Sequence, residues 1–536
     1  MMRSIRFSLA LLMTLPLAAH ASNPLIVKTN KGKVRGAFTA DGKVRAFKGI
    51  PYAAPPVGDL RWQPPQPAAK WSGVRDATQF GFHCIQTNVY KDMAFRDPGP
   101  SEDCLTLNVW TPAKAKKNSL PVMVWIYGGG FHAGATSEPR QDGQFLAHRN
   151  VVVVSMNYRL GIFGFFVHPE LTAESPHHAS GNYGLMDQNA ALEWVQKNIP
   201  NFGGNPHNVT IFGESAGSFS VSSLMASPLS QGLFQKAIGE SGAAFSASGL
   251  QYKSREQREQ EDMKFAEAAF GTTKLADLRK IPADKLVKET EAELQHLDVS
   301  LSPDVDGWFL PESVPDIYAA GKQAHIPLLA GWNADEMRAA VTFAKPPVTT
   351  ERFRKQAEAE FGPNAEEFLK LYPASTDAEA VLSAGDFASD RFIVYSTWRW
   401  LEAQVKTGEA PVYRYRLDLA PPPDKFHPAG SGAFHSDDIE YVFGTLDSRQ
   451  EAVWRPEDRK LSDEIQQYWT NFARTGDPNR GALSGNSDLP KWPTYDAADD
   501  WQVMHLDATS EAKPDTQRDR YLFLEKVWGN ERAPAQ

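Results

Sequence analysis

The stretch from Asn208 to Met225 limits the fold more than any other. Asn208-Val209-Thr210-Ile211-Phe212 is β-rich and predicts a short strand, while Ser218 to Met225 predicts a helix. Only Gly213-Glu214-Ser215-Ala216-Gly217 separates them. A chain that passes from strand to helix within one pentapeptide must turn sharply, and small residues around Ser215 permit it. The serine then sits above the strand at a helix N-terminus, where free N–H groups and the positive dipole end favour developing negative charge. The pentapeptide alone is common by chance, so its weight comes from the strand and the helix on either side.

The surrounding pattern fits that turn. Leu105 to Trp110, Pro121 to Tyr127 and Val151 to Met156 are strongly apolar, and the last is a continuous β-branched run expected of a strand covered on both faces. Leu185, Ala191, Leu192, Val195 and Ile199 recur at helical spacing before the strand at Val209 to Phe212. Strand, helix, strand in that order predicts an α/β chain with a parallel sheet. Short strands are expected earlier, at Leu25 to Val27, Lys33 to Arg35 and Val44 to Phe47. The proline-rich stretch Pro51 to Pro67 reads as an ordered surface loop. Residues 251–295 are dense in charge and read as helices inserted over the sheet. The sheet pattern resumes at Leu328 to Ala330, Val412 to Leu417 and Trp501 to Leu506. One sheet with helical excursions accounts for the 536 residues better than two domains, so 22–536 is expected to be a single domain.

Residues 1–21 read as an export signal rather than as structure. Arg3 and Arg6 precede the apolar run Phe7 to Leu17, and Ala19-His20-Ala21 supplies a small-x-small cleavage site. The expected location is therefore periplasmic or secreted, and no later stretch is long and apolar enough for a membrane anchor. In an oxidising compartment the two cysteines, Cys84 and Cys104, are expected to pair. The loop of about 20 residues they close is worth roughly 3 kcal/mol in the chain-entropy model. A net charge of −9 argues against nucleic acid as a partner. Nothing in the pattern sets an oligomeric state.

A nucleophilic serine needs oxyanion donors and an oriented base. Pro121 to Tyr127 runs into Gly128-Gly129-Gly130-Phe131, and glycines after a buried strand let backbone N–H groups approach a substrate. Gly129 and Gly130 are the expected donors, with Ala216 as a third. A phosphate cradle fits less well, because no Lys-Ser/Thr follows and no G-x-G-x-x-G is present. In an order of serine, acid, histidine, the base lies downstream. His505 falls within a predicted strand and His296 in the charged helical region. His435, in Gly432-Ala433-Phe434-His435-Ser436-Asp437-Asp438, lies in a loop well after the strand at Val412 to Leu417, where a base should hang. The acid is expected in Asn333-Ala334-Asp335-Glu336, after the strand at Leu328 to Ala330, and the residues alone do not separate Asp335 from Glu336. No metal or cofactor is expected. His177 and His178 are adjacent and diverge, no H-E-x-x-H exists, and Asp304-Val305-Asp306-Gly307 is not a calcium loop because Phe309 stands where glycine is required.

Several motifs together resemble the type-B carboxylesterases, the family shared with cholinesterases. They are Phe47 to Tyr52 (FKGIPY), Glu102-Asp103-Cys104-Leu105 with Leu107-Asn108-Val109, Tyr127-Gly128-Gly129-Gly130-Phe131, and Phe212 to Gly217. Asp304 to Gly307 and Trp469 to Pro478 complete the set. The resemblance runs from about residue 25 to the C-terminus. It implies an α/β-hydrolase fold, with a central mostly parallel sheet, helices on both faces and inserted helical lid segments. It assigns the triad acid to Glu336 and the base to His435, makes Cys84–Cys104 the family's first disulfide, and implies hydrolysis of small carboxylic esters through an acyl-enzyme. Ser218 stands where the family usually has a second glycine, a change compatible with a helix N-terminus. The loop Ile85 to Asp103 holds Tyr90 and Phe95 but not the tryptophan that binds quaternary ammonium in cholinesterases, so choline esters are not expected substrates. Two alternatives stay open: a non-catalytic binding module, and the same machinery acting on amides or thioesters. A base-acting histidine further predicts activity that falls below about pH 6.5.

Overall fold

A run of β-branched residues without polar alternation must be covered on both sides, and Val152–Met156 is buried along its whole length. It lies inside a sheet of eleven strands in the computed structural model, which describes residues 23–87, 89–246, 251–294, 296, 300–481 and 489–529. The proposed leader, residues 1–21, lies outside the described residues. In chain order the strands are β1 (Ala37–Phe38), β2 (Val44–Pro51), β3 (Thr106–Pro112), β4 (Leu120–Ile126), β5 (Val152–Met156) and β6 (Gly204–Glu214). β7 (Lys236–Glu240), β8 (Leu328–Asn333), β9 (Val412–Leu417), β10 (Gln502–Leu506) and β11 (Glu511–Pro514) follow. Across the sheet the order is β11-β10-β9-β8-β7-β6-β4-β5-β3-β2-β1.

From β10 to β5 every neighbouring pair is parallel. The two edges are antiparallel, with β11 on β10 at one side and β3, β2 and β1 following β5 at the other. The antiparallel edge at β3 follows from its connection. Residues 113–119 join β3 to β4 without a helix, too short for the crossover a parallel return would need, so β3 runs opposite to β4 and to β5 lying between them. Two of the expected N-terminal strands, Ile26–Lys28 and Lys33–Arg35, form a separate small sheet with Val74–Asp76.

Helices flank the sheet. α1 (Tyr183–Asn198) and α2 (Ala216–Ala226) pack on each other and on β6. The charged segment after residue 251 forms α3 (Arg255–Phe270) and α4 (Ala283–Glu293), helical as expected. α5 (Tyr395–Thr407) rests on β8 and β9. α6 (Asp438–Phe443) and α7 (Pro456–Thr475) pack together, and α7 reaches β4 and β6. Trp62, Trp110, Trp125, Trp332, Trp400, Trp469 and Trp492 are fully buried, so these rings build core rather than surface. Cys84 and Cys104 are joined by a disulfide.

The register places the site. Phe212 stands opposite Trp125 and Gly213 opposite Ile126. The ends of β6 and β4 therefore lie side by side, and Gly128–Gly130 leaves β4 next to Ser215.

Candidate active site

Ser215 occupies φ +54°, ψ −123° between β6 and α2, a conformation that costs a non-glycine residue about 1–3 kcal/mol. The turn is held from several directions. Ser215 N donates to Glu240 O at 2.8 Å, and Phe219 N to Ser215 O at 3.0 Å. A Cβ on Gly213 or Gly217 would come within 2.6 Å or 2.0 Å of the Ile126 carbonyl oxygen. The two glycines of the pentapeptide are thus required by close approach to β4. Ser218, the departure from the family pattern, is buried and donates to Gly242 O at 2.5 Å.

His435 lies across the turn, with Nε2 2.9 Å from Ser215 Oγ and Nδ1 2.6 Å from Glu336 Oε2. The other carboxylate oxygen of Glu336 accepts from Ser241 Oγ at 2.6 Å and from Asn333 N at 2.8 Å. The neighbouring Asp335 points elsewhere: its carboxylate takes Arg338 Nε at 2.8 Å and Ala433 N at 3.1 Å. It ties down the loop that carries His435, and Asp335 N also donates to Ala433 O at 2.9 Å. Of the pair left open by the residues alone, Glu336 is the one that meets the imidazole.

Burial by itself would depress His435, but the Glu214 and Glu336 carboxylates outweigh it and hold the imidazole at about 9. Glu214 Oε1 is 3.3 Å from Nε2 and accepts from Ser436 Oγ at 2.6 Å. Its own affinity for a proton is raised by burial. Behind the loop, burial and then Glu214 and Glu336 push Asp438 up to about 7, and Asp438 Oδ2 accepts from Tyr415 Oη at 2.9 Å.

The glycines run beside the serine. Gly129 has φ +101°, and a Cβ there would meet Ala133 O at 2.2 Å, so only glycine fits. Gly130, at φ +63°, lies farther out, near Tyr90 Oη. Ala216 is buried as the first residue of α2. No described residue accepts from the N–H groups of Gly129, Gly130 or Ala216. Ser215, Gly129 and His435 open into a cavity of about 600 Å³, walled by Tyr90–Ala94, Glu138–Gln141 and the segments around His427 and Phe434.

Other histidines and acids singled out from the sequence are engaged away from the serine. His505 Nδ1 bonds Asp418 at 2.5 Å, His325 Nε2 bonds Gly321 O at 3.0 Å, and His177 stacks on Trp308. Asp306 accepts from Trp308 N and Leu310 N and so closes a turn. The described residues hold no group of three or more His, Cys, Asp or Glu arranged for a metal ion. Nor do they include a helix long and apolar enough to cross a membrane.

Sequence reasoning missed Glu214, Ser241, Asn333 and Asp438. Glu214 sits in the variable position of the pentapeptide, and its approach to His435 spans 221 residues of chain, with no local signal. Ser241 follows β7, a strand the apolar pattern did not announce because Lys236 and Glu240 bound it. Both are buried, Glu240 accepting from Trp469 Nε1 at 2.7 Å and Lys236 bonding Asn208.

A mixed, mainly parallel sheet carrying a strained serine on its strand-to-helix turn defines an α/β-hydrolase. Within that class the chain belongs to the Carboxylesterase family, whose model matches residues 23–524, and it is a carboxylic-ester hydrolase. It is 37% identical over 515 residues to the para-nitrobenzyl esterase of Bacillus subtilis (strain 168), covering 94% of this chain and 99% of that protein. It is also 37% identical over 493 residues to the fumonisin B1 esterase of Sphingopyxis macrogoltabida, covering 90% and 87% respectively. A solved PNB esterase superposes with a TM-score of 0.77 at 35% identity, over 94% of this chain and 100% of the other.

Proposed function

We propose that Ser215, His435 and Glu336 form the triad that cleaves small carboxylic esters, with Gly129, Gly130 and Ala216 as the oxyanion donors. The observation that carries this reading is the continuous relay of two short hydrogen bonds, from Glu336 through both nitrogens of His435 to Ser215 Oγ. His435 Nε2 takes the serine proton as Oγ attacks the ester carbonyl, and Glu336 holds the ring and stabilises its charged form. The tetrahedral oxyanion rests on the free N–H groups of Gly129, Gly130 and Ala216. The alcohol leaves with the proton from Nε2. Water then attacks the acyl carbonyl as His435 takes its proton, and His435 returns that proton to Ser215 Oγ as the acid is released.

The presence of all three triad residues favours this reading over a non-catalytic binding module. The N-terminal run of Arg3, Arg6, Phe7 to Leu17 and Ala19-His20-Ala21 supports export to the periplasm or medium, leaving 22–536 as one domain. The net charge of −9 supports a small-molecule partner rather than nucleic acid. The test is Ser215→Ala, assayed on para-nitrophenyl acetate with a fluorophosphonate label as a second readout. Loss of both turnover and labelling, with an unchanged circular-dichroism spectrum, is expected. Retained labelling or turnover overturns the assignment.

A further inference from the structure

One side chain rests on a glycine of the oxyanion turn. A Cβ on Gly129 would stand 3.3 Å from Cε of Met93, nearer than to any other side-chain atom. Met93 is half-buried and lines the cavity that also holds Ser215, Gly129 and His435. Its thioether sulfur is only a weak acceptor, so Met93 covers the glycine without claiming its N–H. Among the described residues nothing else accepts from that N–H. The loop is anchored just along the chain. Arg96 Nε donates to Ser137 O at 2.9 Å, and Asp97 accepts from Ser137 Oγ at 2.5 Å and bonds His83 Nδ1 at 2.7 Å. With the Cys84–Cys104 disulfide closing the loop, these bonds keep Met93 beside the glycine turn.

The same placement opens the sulfur to small oxidants. Both cysteines are held in the disulfide and neither is free, so the thioethers are the sulfur groups left for a peroxide to attack. Met123, Met156, Met186, Met225 and Met504 are buried. Among the described residues that leaves Met93, Met263 and Met337 with accessible surface. Met263 lies on α3 and Met337 follows Glu336, and neither lines the cavity. Of the three, only Met93 meets a molecule that enters the space above Ser215.

We propose that Met93 is a modification site through which peroxides switch off ester hydrolysis. A lone pair on the Met93 sulfur takes one oxygen from hydrogen peroxide as the O–O bond breaks. The proton on that oxygen passes to the departing hydroxide, which leaves as water, so sulfur is oxidised and the peroxide reduced. The new sulfoxide oxygen is a strong acceptor carrying partial negative charge, where the thioether was apolar. Standing one bond from the sulfur, beside Gly129, it takes the N–H that the tetrahedral oxyanion needs and repels the oxyanion itself. That donor counts only once charge develops on the carbonyl oxygen, so kcat falls more than KM rises. The inference rests on the reading of Gly129 as an oxyanion donor and adds a regulator of that same site.

The experiment treats the full-length wild-type enzyme, Met93→Leu and Met337→Leu with hydrogen peroxide. Each is then assayed on para-nitrophenyl acetate against its own untreated sample, and peptide mass spectrometry reads the oxygen added at each methionine. In the wild type kcat should fall by about tenfold or more, in step with the fraction of Met93 oxidised, with a smaller change in KM. Met93→Leu, a swap that nearly conserves volume, should keep its activity through the treatment, while Met337→Leu loses it as the wild type does. Full activity with Met93 oxidised overturns the proposal. So does Met93 remaining unoxidised once Met263 and Met337 have reacted, or inactivation of Met93→Leu to the wild-type extent. The wild-type correlation stands on its own should Met93→Leu fail to fold, which fluorophosphonate labelling of the untreated variant reports. Turnover that persists in Ser215→Ala would instead sink the triad reading, so the two failures are distinct.

Discussion

Glu214 Oε1 lies 3.3 Å from Nε2 of His435. It approaches the nitrogen that faces the serine, while Glu336 bonds the opposite one, so the imidazolium is stabilised from both edges. In the proposed triad His435 can accept the Ser215 proton only when neutral, and it is held at about 9. kcat/KM should therefore climb with pH through the neutral range with its midpoint near pH 9, rather than near the 6.5 expected of an unperturbed histidine. Replacing Glu214 by Gln removes the strongest influence that raises His435, so the midpoint should move to lower pH. A pH–rate series on both proteins checks this, and coincident midpoints would show that Glu214 does not govern the base.

Ser241 is a positioning residue for the same relay. Its hydroxyl donates to Glu336 Oε1 at 2.6 Å, and its loss leaves that oxygen with Asn333 N alone. A hydrogen bond to a charged group is worth about 1.5–3 kcal/mol. Ser241→Ala should lower kcat by about tenfold or more and leave KM nearly unchanged, because the Glu336 carboxylate does not contact the bound ester. Steady-state kinetics separates the two constants, and a change in KM alone would contradict the assignment.

The disulfide closes the loop that carries Tyr90 and Met93 to the cavity. Replacing Cys84 and Cys104 by Ser releases a closure worth about 3 kcal/mol in the chain-entropy model. The double variant should unfold at lower urea concentration, and its KM should rise as the loop wall loosens. Urea titration and kinetics on one preparation test both, and an unmoved midpoint would mean the loop is fixed by its other contacts.

How far the sequence reaches depends on whether a contact is local. The turn at Ser215 is legible because its strand, glycines and helix are neighbours in the chain. The parallel centre of the sheet is legible because a β-branched run such as Val152–Met156 can sit only where both faces are covered. The choice of Glu336 over Asp335 is not local: it depends on which side chain points across 99 residues to His435 and which bonds Arg338.

The closest packing at the turn yields the last prediction. A Cβ on Gly217 would stand 2.0 Å from Ile126 O. That carbonyl cannot yield freely, because Ile126 closes β4, which is paired on one side with β6 and on the other with β5. The strain must then fall on α2 and on the adjoining Ser215, whose φ of +54° leaves little slack. Gly217→Ala should therefore destabilise the protein by about 1–3 kcal/mol, as overpacking does. It should also lower kcat more than KM, because a displaced Ser215 Oγ loses its alignment with His435 Nε2. Thermal unfolding and kinetics decide the point. A variant with full activity and an unshifted transition would show that α2 can retreat from β4 without moving the serine.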